Sequence, residues 1–300
     1  MGEHSKTKSE EKTEEVHRPS RATQLFVVWR NLKKSKLAVA GTAIVLLVIL
    51  LGVLAPILPI YDLQFRGRLT SPPSAKHIFG TDTIGRDMLS LIIYGASISL
   101  YVALGAVSIE LLIGVPIGMI AGYFGGKLDE VLMRITDVFL SLPTLPLLIL
   151  AVSMFEVRGI HIIMLVMGML GWTEMARYVR SEFLTLRETT FVEAAKSMGA
   201  SSWRVTLRHI LPNTLSTIIV LVTMDIPWYI FYEATLSFLG FGDPSLPSWG
   251  ILLERGYGFL SPQGWWMITF PGLAIFFTSL GFNLLGDGLR DALDVKTRGL

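Results

Sequence analysis

The residues with most chemistry to offer are carboxylates and phenols set inside apolar sequence. Asp225, Tyr229, Tyr232, Glu233 and Leu236 fall at i, i+4, i+7, i+8 and i+11, so a helix gathers them along one stripe. Such a stripe either packs against a neighbouring helix or walls a solute pathway, because an acid in apolar surroundings must face a partner or water. Glu110 lies in another apolar run and carries the same expectation. A catalytic set is not readable here. There is no cysteine, which removes thiolate chemistry, disulfides and Cys-type metal sites. His161 and His209 stand on different elements without metal-ligand spacing. Gly125-Gly126-Lys127 begins like a phosphate loop, but Leu128 stands where Ser or Thr must reach magnesium, and the glycine spacing and preceding strand are missing. No enzyme activity, ATP binding, cofactor or metal is therefore expected of this chain.

The elements that hold these residues belong in a membrane. Mean hydropathy is +0.55. Charged residues are 17%, against roughly 25% in soluble domains. The net charge of +2 is too small to suggest nucleic acid. Apolar runs predict an all-α membrane protein with six transmembrane helices: Leu37–Leu58, Ile98–Ala121, Val131–Ser153 with Pro143 and Pro146, Ile160–Tyr178, Leu215–Leu239 with Pro227, and Trp265–Leu285. Arg30, Lys33, Lys34 and Lys36 precede the first span, and Lys127, Arg177, Arg180, Arg187 and the C-terminus hold most of the other inward charges. The positive-inside rule then places both termini in the cytoplasm, with Pro59–Ser90 and Gly240–Gly264 outside. Met1–Arg18, rich in Glu, Lys, Ser and Thr, is expected to be a disordered tail and not a targeting signal. Gly114, Gly118 and Gly122 let a second helix approach closely. Trp265 and Trp266 are expected in the interfacial aromatic belt, Gly286-Asp287 to end the last span, and Arg290 and Asp294 to pair on a short terminal helix.

Between the fourth and fifth spans, Thr189–Asn213 is polar yet helical in pattern. Thr190 and Glu193 have capping-box spacing, and Phe191, Ala194, Ala195 and Met198 form one apolar face. Gly199 stops this helix, Ser201 or Ser202 caps a second through Trp203, Val205 and Leu207, and Pro212 marks the next boundary.

Glu193-Ala194-Ala195, Gly199 and Leu211-Pro212 resemble the EAA loop of ABC-importer permeases. His209 replaces the usual isoleucine, and Arg208–Asn213 is similar to the RHxLPN of the peptide branch. The family's GTDxxGRD matches Gly80–Asp87, its EAxLSFLGxG matches Glu233–Gly242, and its PSWG matches Pro247–Gly250. Phe282-Asn283-Leu284, Gly286-Asp287 and Leu289-Arg290-Asp291 match its ending. From Leu25 to Arg298 the chain resembles the C-type permease subunit of dipeptide, oligopeptide and nickel ABC importers. The resemblance implies a type I ABC importer permease fold in a prokaryotic plasma membrane, divided as a cytoplasmic tail 1–24, a first helix and external loop 25–91, a permease domain 92–288 and a cytoplasmic end 289–300. It also implies coupling through Glu193, Ala194, Ala195, Gly199, Leu211 and Pro212 to two separate ATPase subunits, with a second permease subunit and an extracellular solute-binding protein as further partners. The expected solute is a short peptide passing Asp225, Tyr229, Tyr232 and Glu233. Oligosaccharide and nickel stand as alternatives. A secondary transporter is the alternative of another class, although no inverted repeat is found.

Overall fold

The computed structural model describes residues 29–58, 67–259 and 264–298, with side chains as far as residue 293. The expected N-terminal tail, part of the first external loop and the Arg290–Asp294 pair lie outside the described residues. Among the described residues, ten α-helices follow one another from Lys36 on: α1 Lys36–Leu54, α2 Met88–Phe124, α3 Gly126–Leu140, α4 Thr144–Ser153, α5 Ile160–Leu186, α6 Thr190–Ser197, α7 Ser202–Val205, α8 Leu211–Phe238, α9 Trp249–Tyr257 and α10 Trp266–Arg298. A π turn over Thr206–Ile210 joins α7 to α8. Among the described residues five helices are long and apolar enough to cross a membrane, and α3 with α4 make a sixth crossing if that bent pair is one span.

The third span is not the single rod its hydropathy predicts. It bends by 87° between α3 and α4, where Pro143 is the N-cap of α4 and Pro146 lies in its first turn. Both prolines thus occupy helix-start positions, where a missing N–H costs nothing. The break leaves residues 141–144 exposed.

Close packing through glycine decides how the long helices meet. α2 and α5 form the most extensive pair. A Cβ at Gly114 would lie 2.8 Å from the Trp172 carbonyl oxygen, and one at Gly122 would lie 2.6 Å from Phe183 Cβ, while Gly118 faces Ala176. Arg180 of α5 donates from Nε and Nη2 to the two carboxylate oxygens of Asp129 on α3, and Arg177 donates to Asp137 at 2.6 Å. The same logic overturns the expected stop at Gly286-Asp287, because α10 runs through them without interruption. Gly286 faces Met224 of α8 and Gly288 faces Ala38 of α1. These glycines admit neighbouring helices and end nothing.

Candidate functional site

Three regions hold the residues singled out by sequence. The first is the end of the bundle at residues 67–87 and 240–257. Gly80 and Gly85, at φ +76° and +85°, fold residues 67–87 into a tight plug. Asp82 Oδ1 accepts the N–H groups of Ile84 and Arg86 at 3.0 and 2.8 Å, and its Oδ2 takes the Arg86 Nε at 2.7 Å. Asp87 caps α2 by accepting the Ser90 N–H and hydroxyl at 2.9 Å, and it pairs with buried His77 at 2.9 Å. Trp266 is not a belt residue. It is 2% exposed, and its indole N–H donates to the Thr81 carbonyl at 3.0 Å, whereas Trp265 stays exposed. Trp249 is likewise buried, donating to Ile92 O at 3.0 Å. Its loop is partly helical, since Ser248 caps α9.

Glu233 belongs to this assembly. It is fully buried and takes the hydroxyls of Ser237 at 2.7 Å and Ser99 at 3.1 Å. Its place at the edge of the α8 stripe turns it toward α2 and α9, away from its stripe-mates.

The second region is the elbow of residues 189–213. The capping box does not form: the N-cap of α6 is Thr189, Thr190 is already helical, and the Thr189 hydroxyl donates back to Leu186 O at 2.5 Å. The far end closes as anticipated. Gly199, at φ +81°, donates to Lys196 O at 2.9 Å, and Ala200 donates to Ala195 O at 3.1 Å, the paired bonds of a Schellman motif. Ser201 accepts the Arg204 N–H and caps α7. The expected apolar face splits in two. Val192 and Ala195 are buried with Phe183, Val205 and Ile210, while Ala194 is exposed and Met198 is 80% exposed. Trp203 and Leu207 are exposed as well. Pro212 does stand at the start of α8, but the boundary is not a break, because the π turn makes 202–238 continuous. Thr206 Oγ1, at the start of that turn, is buried with no hydrogen-bond partner.

The third region is a cavity of about 350 Å³ where the α3–α4 break meets α2, α5 and α8. Asp225, Tyr229 and Tyr232 line it, joined by Glu110, Glu174, Thr144, Thr173 and the rings of Phe139 and Trp228. Tyr229 donates to Glu110 Oε2 at 3.0 Å. Gly171 makes this possible, since a Cβ there would collide with the Tyr229 hydroxyl. Sequence reasoning left Glu110 facing either a packing partner or a wet cavity, and passed over Glu174, whose only signal was a carboxylate within an apolar helix.

Five or six candidate spans among the described residues, a cavity with acidic and phenolic walls, and a polar helical elbow between two of the spans are the parts of a transporter's transmembrane subunit. Comparison with known proteins makes this particular. Residues 114–299 match the model of the binding-protein-dependent transport system inner membrane component, and residues 23–73 match the N-terminal TM domain of oligopeptide transport permease C. The chain is 42% identical over 274 residues to the dipeptide transport system permease protein DppC of Bacillus subtilis, covering 90% of this chain and 85% of the relative. It is 40% identical over 269 residues to the oligopeptide permease OppC of Bacillus subtilis, covering 89% and 88%. It is also 40% identical over 276 residues to the glutathione permease GsiD of Pectobacterium atrosepticum, covering 90% of each. The inward-facing MetNI methionine ABC transporter shares its fold, with a TM-score of 0.56 at 23% identity over 68% of this chain and 97% of that chain. The chain belongs to the binding-protein-dependent transport system inner membrane component family, and it is a permease subunit of an ABC importer with the type I fold.

Proposed function

We propose that this subunit pairs with a second permease to form a path for short peptides, driven by two separate ATPase subunits that dock on residues 189–213. An extracellular solute-binding protein delivers the solute, and both termini lie in the cytoplasm. The observation that carries this reading is the continuity between the elbow and the cavity. Ala194, Met198, Trp203 and Leu207 are exposed on an elbow fixed by a Schellman turn, and one unbroken helix runs from Ser202 to Tyr229 and Tyr232 in the cavity wall. Force applied at the elbow therefore reaches the cavity through a stiff element. Leu211 and Pro212 lie within that helix and Ala195 packs beside it in the cluster of Val205 and Ile210, while Glu193, Ala194 and Gly199 face the ATPase.

Peptide is preferred over oligosaccharide because the named relatives carry dipeptides, oligopeptides or glutathione in their descriptions. It is preferred over nickel because no His, Asp or Glu group among the described residues converges closely enough to hold a metal ion. A secondary transporter would not need the elbow.

The absence of native cysteine gives a direct test of orientation. Single cysteines at Ser74 and Ser201, both exposed, are probed in intact cells with an impermeant maleimide. Labelling at position 74 alone is expected, and labelling at position 201 alone reverses the topology. Uptake of di- to pentapeptides by the assembled importer, lost when ATP is withheld, tests the function.

A further inference from the structure

Glu110 is an acid buried where the protein supplies it no positive charge. Its residue is 2% exposed, and among the described residues its one hydrogen-bond donor is the Tyr229 phenol on Oε2. Glu110 also lines the cavity. The cavity walls add Glu174 and Asp225 but contain no Lys, Arg or His. A carboxyl withdrawn from water without a counter-charge holds its charge only when a cation joins it and otherwise keeps its proton, so beside an open cavity it favours a cationic guest over a neutral one. A metal ion is a poor candidate because no three His, Asp or Glu groups among the described residues gather to hold one. An organic ammonium needs no such set. One N–H can go to Glu110 and the others to the Asp225 carboxylate, the Tyr229 phenol oxygen or water, all acceptors. The faces of Trp228, Tyr232 and Phe139 complete the walls and attract a cation in their own right.

We propose that this cavity receives the free α-ammonium group of the peptide, with Glu110 as its buried anchor, so that the permease itself discriminates against blocked N-termini. The proposal rests on the peptide reading above and adds a chemical requirement that reading does not contain. Asp225 and Glu174 sit nearer the opening, the first half-buried and the second exposed, and so meet the incoming charge before Glu110 does. Gly171 is a positioning residue, because it leaves the room in which the Tyr229 hydroxyl reaches Glu110.

The test uses the complete importer with its partners in proteoliposomes. Uptake of a dipeptide is compared with uptake of its desamino analogue, in which hydrogen replaces the amine, each at a concentration that saturates the binding protein. Wild type is expected to favour the free amine by about tenfold or more, the scale of one charge-assisted hydrogen bond. Glu110→Gln and Asp225→Asn are each expected to shrink that preference to about twofold or less, with subunit copurification unchanged. Should Glu110→Gln fail to assemble, Asp225→Asn on the more open wall decides alone. Full preference retained in the assembled variants, or none in wild type, overturns the inference and leaves the peptide reading standing. Wild-type importer that takes up neither compound overturns both.

Discussion

Two polar loops at opposite ends of the molecule are both rich in motif-like residues, yet they use them in opposite ways. The loop region that is external in the proposed topology turns its polar groups inward. Asp82, Asp87, Thr81 and Ser248 are all buried, and their side chains cap helices, brace turns or fasten strands of loop to one another. The elbow, cytoplasmic in the same topology, is held by backbone turns and by Val192, Ala195, Val205 and Ile210, and it leaves Met198, Trp203 and Leu207 exposed. A loop that consumes its own hydrogen-bonding capacity is a foundation. One that keeps apolar side chains in water at a cost is shaped for something outside it. The two ends should therefore fail differently: the outer one through stability, the inner one through coupling.

The largest effect is expected at Asp87. Asp87→Ala removes the cap of α2 and strips buried His77 of its carboxylate, which together cost about 3 kcal/mol or more. The midpoint of thermal inactivation of the detergent-solubilised importer should fall sharply, while transport per folded complex stays near wild type. Normal stability with failed transport would give the outer loop a direct role and erase the contrast.

Gly199→Val comes next. A β-branched residue held at φ +81° is strained by about 1–2 kcal/mol, and nothing within 4 Å of the Cβ position adds a clash. The subunit should insert and assemble, but solute-stimulated ATPase and uptake should drop together. Copurification with full activity would show that the turn geometry is not what the ATPase reads. Thr206→Val is smaller and opposite in sign. Replacing an unpaired buried hydroxyl by a methyl group should stabilise by about 1 kcal/mol. A lowered thermal midpoint would mean that the hydroxyl has a partner in the assembled importer.

How far the sequence could be read follows from the physics of each feature. Span positions were legible because hydropathy is a sum over many residues and tolerates local error. The α3–α4 break was not, since Pro143 and Pro146 fit either a tolerated kink or a new helix start, and only the packed surroundings choose. Glycine was ambiguous for the same reason: Gly199 ends a helix, whereas Gly286 and Gly288 make room for Met224 and Ala38, and the neighbours are invisible in one dimension. In the stripe, each residue step turns the helix by about 100°. That rotation separates Tyr232 in the cavity from Glu233 in the outer core. Glu174 joined the cavity through α5, an association no pattern within α8 could reveal.

The smallest expected effect is also the sharpest check on the contrast. Thr190 and Glu193 have the spacing of a reciprocal cap, and such a box would have made the elbow self-bracing in the manner of the external loop. Thr190 lies within α6, and the Thr189 hydroxyl is spent on the Leu186 carbonyl, so neither side chain is positioned to close it. Thr190→Ala should shift stability by no more than about 0.5 kcal/mol, the ordinary range for an exposed substitution. Glu193→Gln and Glu193→Ala should then be equally stable, because glutamine has no cap to preserve. Any difference between them belongs in the proposed ATPase coupling, for which the exposed Glu193 side chain is available. If Thr190→Ala instead lowers stability by 1 kcal/mol or more, the box forms in the working importer. The elbow would then be braced by its own polar groups, and the distinction between the two ends would lie only in which residues are left exposed.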